Sequence, residues 1–280
     1  MSKIYVNGYG GYREKRDGSG SFIFKFFFGL FIIVLLLGGG LAGLVTFFPP
    51  EGVPILEYHK INDWSDDEYT VKKADFAAQM DELRAQGYET ISILDFLRAK
   101  KGKQELPKKA IIITADDGYK DNLTDMLPIL EERGMKATVF MVTNDIGLPG
   151  YLTWDDLKEM QGRNIEIGSH TANHLALTSM PPAEAEDEVK KSKLLMEWNG
   201  LKTIFTLSYP NGKYADYMPD MLRRNEYLAA VTGDPGLNTF ETNPYLLQRV
   251  NIPRPHLGIW EFRFRLFKAK LCAVLGLFKH

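Results

Sequence analysis

From residue 54 onward the chain alternates short apolar runs with helical patterns, and this alternation constrains the fold more than any other feature. Strand-like runs are Pro54-Tyr58, Ala110-Thr114, Ala137-Thr143, Ile165-Ser169, Thr203-Leu207 and Leu228-Thr232. Between them, Ala74 to Ala85 places Phe76, Met80 and Leu83 on one helical face, and Gly87 lies just past its end. Asn122 to Arg133 does the same with Leu123, Met126, Leu127 and Leu130, and Ala183 to Trp198 is a third helical stretch. Strands that alternate with helices build a mainly parallel sheet. Asp116, His170 and Tyr209 each lie just past one of the runs, and polar residues at the C-terminal ends of parallel strands converge on a barrel mouth. The expected fold class is therefore α/β, a barrel with its site at that mouth.

The chemistry is concentrated in two short segments. Asp116 and Asp117 stand in Thr114-Ala115-Asp116-Asp117-Gly118-Tyr119, directly after the run Ala110-Ile111-Ile112-Ile113. Alone, such a pair reads as turn chemistry and a helix cap. The second segment is Ser169-His170-Thr171-Ala172-Asn173-His174, which holds two of the chain's five histidines. Together they supply the parts of a metal-dependent hydrolase, in which one carboxylate binds a metal with the imidazoles and its neighbour handles a proton.

The order of these motifs resembles that of the polysaccharide deacetylases, metal-dependent carbohydrate esterases that remove acetyl groups from glycans. The resemblance covers roughly Val53 to Pro253. Thr114-Ala115-Asp116-Asp117-Gly118 matches a first motif Thr-Phe-Asp-Asp-Gly, and His170 to His174 matches a second, His-Ser/Thr-x-x-(x)-His. Ser208-Tyr209-Pro210-Asn211 matches a third, built on a Tyr-Pro pair. Carried over by position, Asp116 is the general base, Asp117, His170 and His174 hold the metal, and Tyr209 and Pro210 shape the substrate pocket. Trp154, in Tyr151-Leu152-Thr153-Trp154, and Arg249, in Leu247-Gln248-Arg249-Val250, fall in other family-like segments and are further candidates for substrate binding. Ala115 replaces the family's usual Phe, and Ser208 replaces an arginine that often steadies the base. The resemblance further implies a distorted (β/α)7-type barrel and a divalent metal, zinc first, with cobalt, nickel or manganese as substitutes.

Collapse of the reaction intermediate expels an amine, which needs an acid. His59 ends the first strand-like run in Val53-Pro54-Ile55-Leu56-Glu57-Tyr58-His59, a segment that resembles the membrane-attached branch of the family. That likeness implies a circular permutation, with the acid-bearing strand moved from the chain's end to its beginning. His59 is the expected acid, since an imidazole pKa of about 6.5 suits proton donation near neutrality. His256, in the proline-bounded Arg254-Pro255-His256-Leu257, fits the family's C-terminal motif poorly.

Residues 1–21 read as a polar cytoplasmic tail and 22–48 as a transmembrane anchor, because Phe26 to Phe48 carries no charge. At about 1.5 Å per residue that stretch is long enough for a hydrocarbon core of about 30 Å. Phe47-Phe48-Pro49-Pro50 follows it in place of the small residues of a signal cleavage site. Lys3, Arg13, Lys15, Arg16 and Lys25 precede the stretch or open it, and Glu51, Glu57, Asp63, Asp66, Asp67 and Glu68 follow. This asymmetry predicts a single-pass protein of the cell membrane with its domain on the extracytoplasmic side. Residues 49–258 form the expected deacetylase domain. In 259–280, Trp260, Phe264, Phe267, Leu271, Val274, Leu275 and Phe278 share a helical face, so an amphipathic helix is expected, packed on the barrel or resting on the membrane.

A formal net charge of -2 gives no reason to expect nucleic acid as a partner. Cys272 is the only cysteine, which excludes an intramolecular disulfide and a cysteine zinc cluster. The function expected is de-N-acetylation of an N-acetylglucosamine-containing envelope or exported polysaccharide. Two alternatives stand beside it: a catalytically weak glycan-binding relative, suggested by Ala115 and Ser208, and an O-acetyl esterase of the same fold.

Overall fold

Every residue of Ala110–Ala115 is buried, the mark of a strand covered on both faces. The structure, a computed structural model, describes residues 19–47 and 50–277 and divides into two compact units, Met1–Pro49 and Pro50–His280. The first unit contains helix α1 (Ser19–Phe47). It begins inside the expected cytoplasmic tail, of which residues 1–18 lie outside the description. Over the residues whose side chains are described, no helix is long and apolar enough to cross a membrane.

The second unit runs β1 (Ile55–Tyr58), β2 (Lys60–Ile61), β3 (Thr70–Val71), α2 (Lys73–Ala85), β4 (Glu89–Thr90), α3 (Ile93–Lys100) and β5 (Ala110–Ala115). There follow α4 (Leu127–Glu131), β6 (Ala137–Met141), α5 (Trp154–Gly162), β7 (Ile165–Ser169), α6 (Pro182–Trp198), β8 (Thr206–Ser208), α7 (Met218–Arg224), β9 (Ala229–Pro235), β10 (Leu247–Asn251) and α8 (Ile259–Val274). Strands β1, β5, β6, β7, β8, β9 and β10 pair in that order, each parallel to the next. The ring closes because Leu56 of β1 stands opposite Ile113 of β5 on one side and Val250 of β10 on the other. The parallel barrel expected from the alternation is thus present, with the seven strands that the resemblance implied. Strand β4 adds to the start of β5 outside the ring, and β2 pairs with β3 as a small separate ribbon.

The period of two sorts the side chains. Leu56, Tyr58, Ile111, Ile113, Ala115, Ile165, Ile167 and Leu207 join a core shared with the surrounding helices. Ile55, Ile112, Phe140, Ala229, Val231 and Leu247 face inward and pack with Ile93, Phe96 and Leu97 of α3. Continued two residues along each strand, the inward set becomes Glu57, Thr114 and Arg249, and then His59 and Asp116. The lower barrel is apolar and its mouth is charged.

Three elements differ from expectation for local reasons. Strand β10 reads poorly because the buried residues Gln248 and Arg249 interrupt its apolar pattern. The helix expected over Asn122–Arg133 opens with a π-turn, Asn122–Met126, since Pro128 has no N–H for the carbonyl of Thr124. Helix α8 buries Phe262, Leu266, Ala269 and Cys272, while Trp260 and Phe264 of the expected stripe are exposed. Its packing face is therefore the neighbouring one, held by Arg263 against Glu82 of α2 at 2.6 Å. Phe278 lies outside the described residues.

Candidate active site

Asp116 directly follows β5, continues its inward face and is almost fully buried. Its carboxylate takes two parallel hydrogen bonds from Arg249, Nη1 to Oδ1 and Nη2 to Oδ2, each 2.9 Å, and a third from Ser208 Oγ to Oδ2 at 2.9 Å. Two carboxylate oxygens offer about four lone-pair sites. Three are used, which leaves one on Oδ1 to accept a proton.

On a regular strand Asp117 would point away from its neighbour, but its φ is 74°, and this left-handed turn brings it round to the mouth. Gly118 follows with φ 76°, where a side chain would be strained and its Cβ, 1.9 Å from the sulfur of Met141, would have to displace the methionine. Asp117 Oδ1 lies 3.5 Å from His170 Nε2 and 3.6 Å from His174 Nε2. Thr171 and His174 also have positive φ, 67° and 55°. A β-branched residue rarely adopts that conformation, and strain of this kind clusters at functional sites. The loop is held by hydrogen bonds from Thr143 N to Thr171 O at 3.1 Å and from His174 N to Thr171 Oγ1 at 3.2 Å.

The donor set fits a divalent cation. Ligating atoms of Asp117, His170 and His174 all lie within 4.8 Å of one another. His170 Nδ1 is 2.8 Å from the carbonyl oxygen of Ser208, to which its N–H donates, so the Nε2 lone pair is turned towards Asp117. A carboxylate with two imidazoles suits zinc and its neighbours in the first transition row.

A second group surrounds the first. Glu57 Oε1 lies 3.0 Å from Arg249 Nη2, and the ligating atoms of Glu57, His59 and Asp116 also fall within 4.8 Å of one another. His59 packs its ring 5.0 Å from that of Tyr69, and its carbonyl accepts from Asn122 Nδ2 at 2.9 Å. His256 is exposed and lies 3.6 Å from Glu68.

Burial and Arg249 set the protonation of this centre. Burial raises Asp116, but the guanidinium more than offsets it, with help from His170, and holds the carboxyl well below the usual range. For Glu57 burial outweighs the same arginine and the pKa rises. The single cation is therefore committed to Asp116 first. Burial lowers the His170 imidazole in spite of Asp116 and Asp117, which favours the neutral, ligating form.

Four residues expected to touch substrate are placed differently. Arg249 is only 1% exposed and its guanidinium is occupied by Asp116, Glu57 and the carbonyl of Thr232, so it braces these groups and does not reach a ligand. Tyr209 is one residue beyond the inward Ser208 and so points outward into the helix-facing core, fully buried. Its N–H, a candidate oxyanion donor by resemblance, already donates to Val231 O at 3.1 Å. Pro210 is buried too, and Trp154 is half-buried against the same core at the start of α5. Glu57 and the role of Arg249 were missed by sequence reasoning. A lone charge inside an apolar strand pattern, as in Leu247-Gln248-Arg249-Val250, was the available signal for an internal ion pair.

A closed parallel barrel that gathers two carboxylates and two imidazoles at its mouth is the framework of a hydrolase. The polysaccharide deacetylase family model matches residues 103–230. YxkH of Bacillus subtilis, which bears a polysaccharide deacetylase name, is 34% identical over 203 residues, 72% of each chain. The poly-beta-1,6-N-acetyl-D-glucosamine N-deacetylase of Staphylococcus epidermidis is 24% identical over 196 residues, 65% of this chain and 68% of that protein. Among solved structures, the Streptococcus pyogenes deacetylase PplD in complex with acetate superposes with a TM-score of 0.71 at 26% identity, covering 79% of this chain and 99% of that one. The chain belongs to the polysaccharide deacetylase family. It is accordingly a hydrolase of the deacetylase class.

Proposed function

We propose that the protein removes N-acetyl groups from an N-acetylglucosamine-containing polysaccharide, either of the envelope or exported through it. The observation that carries this reading is the Asp117–His170–His174 triangle set beside an arginine-clamped Asp116. The name of the Staphylococcus epidermidis relative supports the choice of polymer.

Asp117, His170 and His174 hold the divalent ion, zinc first. When bound, that ion supplies Lewis-acid polarisation of the acetyl carbonyl and makes water more acidic. Asp116, fixed as an anion by Arg249 and Ser208, orients the attacking water and accepts its proton on the open side of Oδ1. Ser208 is thus a working part of the centre: it donates to the base, while Arg249 from β10 brings the guanidinium that the third motif lacks. His59, whose ring nitrogen lies within 4.8 Å of the Asp116 and Glu57 carboxylates, protonates the departing amine. Its place at the end of β1 also supports the reading of a permuted barrel that begins with the acid strand.

Acetate release from N-acetylglucosamine oligomers, lost on chelation and restored by zinc, is the expected result. Release from acetylated xylan or an aryl acetate alone would replace this reading with an O-acetyl esterase. His59→Ala is expected to cut turnover by about 10²- to 10⁴-fold with metal content retained, and His256→Ala to change it less than about twofold. The reverse ranking would remove His59 from the mechanism.

The same proposal includes a single-pass anchor over 22–48, a cytoplasmic tail before it and the domain of residues 49–258 outside the cell. The uncharged stretch Phe26 to Phe48 and the basic residues ahead of it support this placement. Protease added to intact spheroplasts should digest the C-terminal domain. Full protection, under conditions that digest an external marker, would place the domain inside.

A further inference from the structure

One rim of the mouth carries aromatic rings beside the metal triangle, where Tyr151 packs partly on the core and Tyr119 shares a side-chain hydrogen bond with Asp117. Tyr119 and Tyr151 form an antiparallel bridge, with their rings stacked 5.2 Å apart at 24°. Lys120 N to Gly150 O at 2.8 Å and Leu152 N to Gly118 O at 3.0 Å lock this pair two residues from Asp117. Lys60 Nζ lies 4.8 Å from the Tyr119 centroid and 2.8 Å from Asp67, so it bridges the pair to the β2–β3 ribbon. In the turn just before β3, Tyr69 is 58% exposed although its ring packs against His59. An exposed ring held against a catalytic candidate offers an apolar face, and a ring beside a lysine offers a polar edge as well. A pyranose presents both kinds of surface, axial C–H groups on its faces and hydroxyls on its edge.

We propose that Tyr69, Lys60 and the Tyr119–Tyr151 pair form a sugar subsite, which holds the β-linked N-acetylhexosamine unit next to the one whose acetamide reacts. The proposal rests on the deacetylase reading and deepens it, because it makes this hydrolase a reader of chain length. Tyr69 supplies the stacking face. Lys60 has three N–H donors, one of them on Asp67, and donates to the sugar's hydroxyl or acetyl oxygen.

The test compares the metal-loaded full chain with its Tyr69→Ala and Tyr69→Phe variants on an N-acetylglucosamine tetramer and on the monosaccharide. For Tyr69→Ala, KM for the tetramer should rise at least about tenfold with kcat within about twofold, the pattern of lost uniform binding. Tyr69→Phe should restore KM, since the face and not the hydroxyl does the stacking. An unchanged KM, a fall confined to kcat, or a wild type that treats tetramer and monosaccharide alike overturns the subsite. If the wild type releases no acetate from either sugar, the deacetylase reading falls, and calorimetric titration of the tetramer decides the subsite separately. A dissociation constant raised at least about tenfold by Tyr69→Ala sustains it, whereas equal constants or no binding overturn it.

Discussion

Alanine at Asp117, His170 or His174 is expected to reduce acetate release to background and to strip the protein of metal. Each supplies one of three ligating atoms within 4.8 Å, and two ligands hold a divalent ion far less firmly than three. Asp116→Asn should behave differently, with turnover down about 10²- to 10⁴-fold and the metal retained. The amide keeps the shape of the carboxylate but has lost its basic oxygen. Elemental analysis after dialysis, run beside the acetate assay, separates the two outcomes. Equal metal loss in all four variants would contradict the division of labour between the adjacent carboxylates.

Arg249→Met is the second large effect, and it should appear in stability as well as rate. The guanidinium is the shared partner of two buried carboxylates, Asp116 at 2.9 Å and Glu57 at 3.0 Å. Removing one partner of a buried ion pair costs about 3–5 kcal/mol. Calorimetry should show a melting temperature lower by about 10 °C. The pH dependence has a definite sign. Asp116 is depressed in the folded protein, so its contribution to stability is present above the ordinary carboxylate value and is lost as pH falls through the folded one. Without Arg249 the largest influence against burial is gone, with His170 and His59 still lowering Asp116, so its pKa rises and the acid limb of the rate profile moves to higher pH. Arg249→Lys should recover part of the stability but not the bidentate geometry. A stable Arg249→Met protein with an unshifted acid limb would show that the arginine does not control the base.

Much of the architecture was legible along the chain. Alternating patterns gave the barrel class, and six of its seven ring strands were recognised to within a few residues, with β10 the exception. Capping signals were present but unused at α3, where Ser92 and Asp95 form a reciprocal box. The cluster of Asp117, His170 and His174 was legible as well, because Asp117 and the two histidines stand in compact motifs.

What the sequence determined by itself was whatever depends on neighbours a few residues apart: the strand and helix periods, the Asp-Asp-Gly turn and the histidine spacing. Only the tertiary structure decided which way each residue at a strand end faces and what meets it there. Tyr209, one step past an inward serine, turns out into the core, and Arg249 meets Asp116 across 133 residues of chain. Such partners come together only when the ring closes and β10 is brought beside β1. Closure is a property of all seven strands at once, and no local pattern records it.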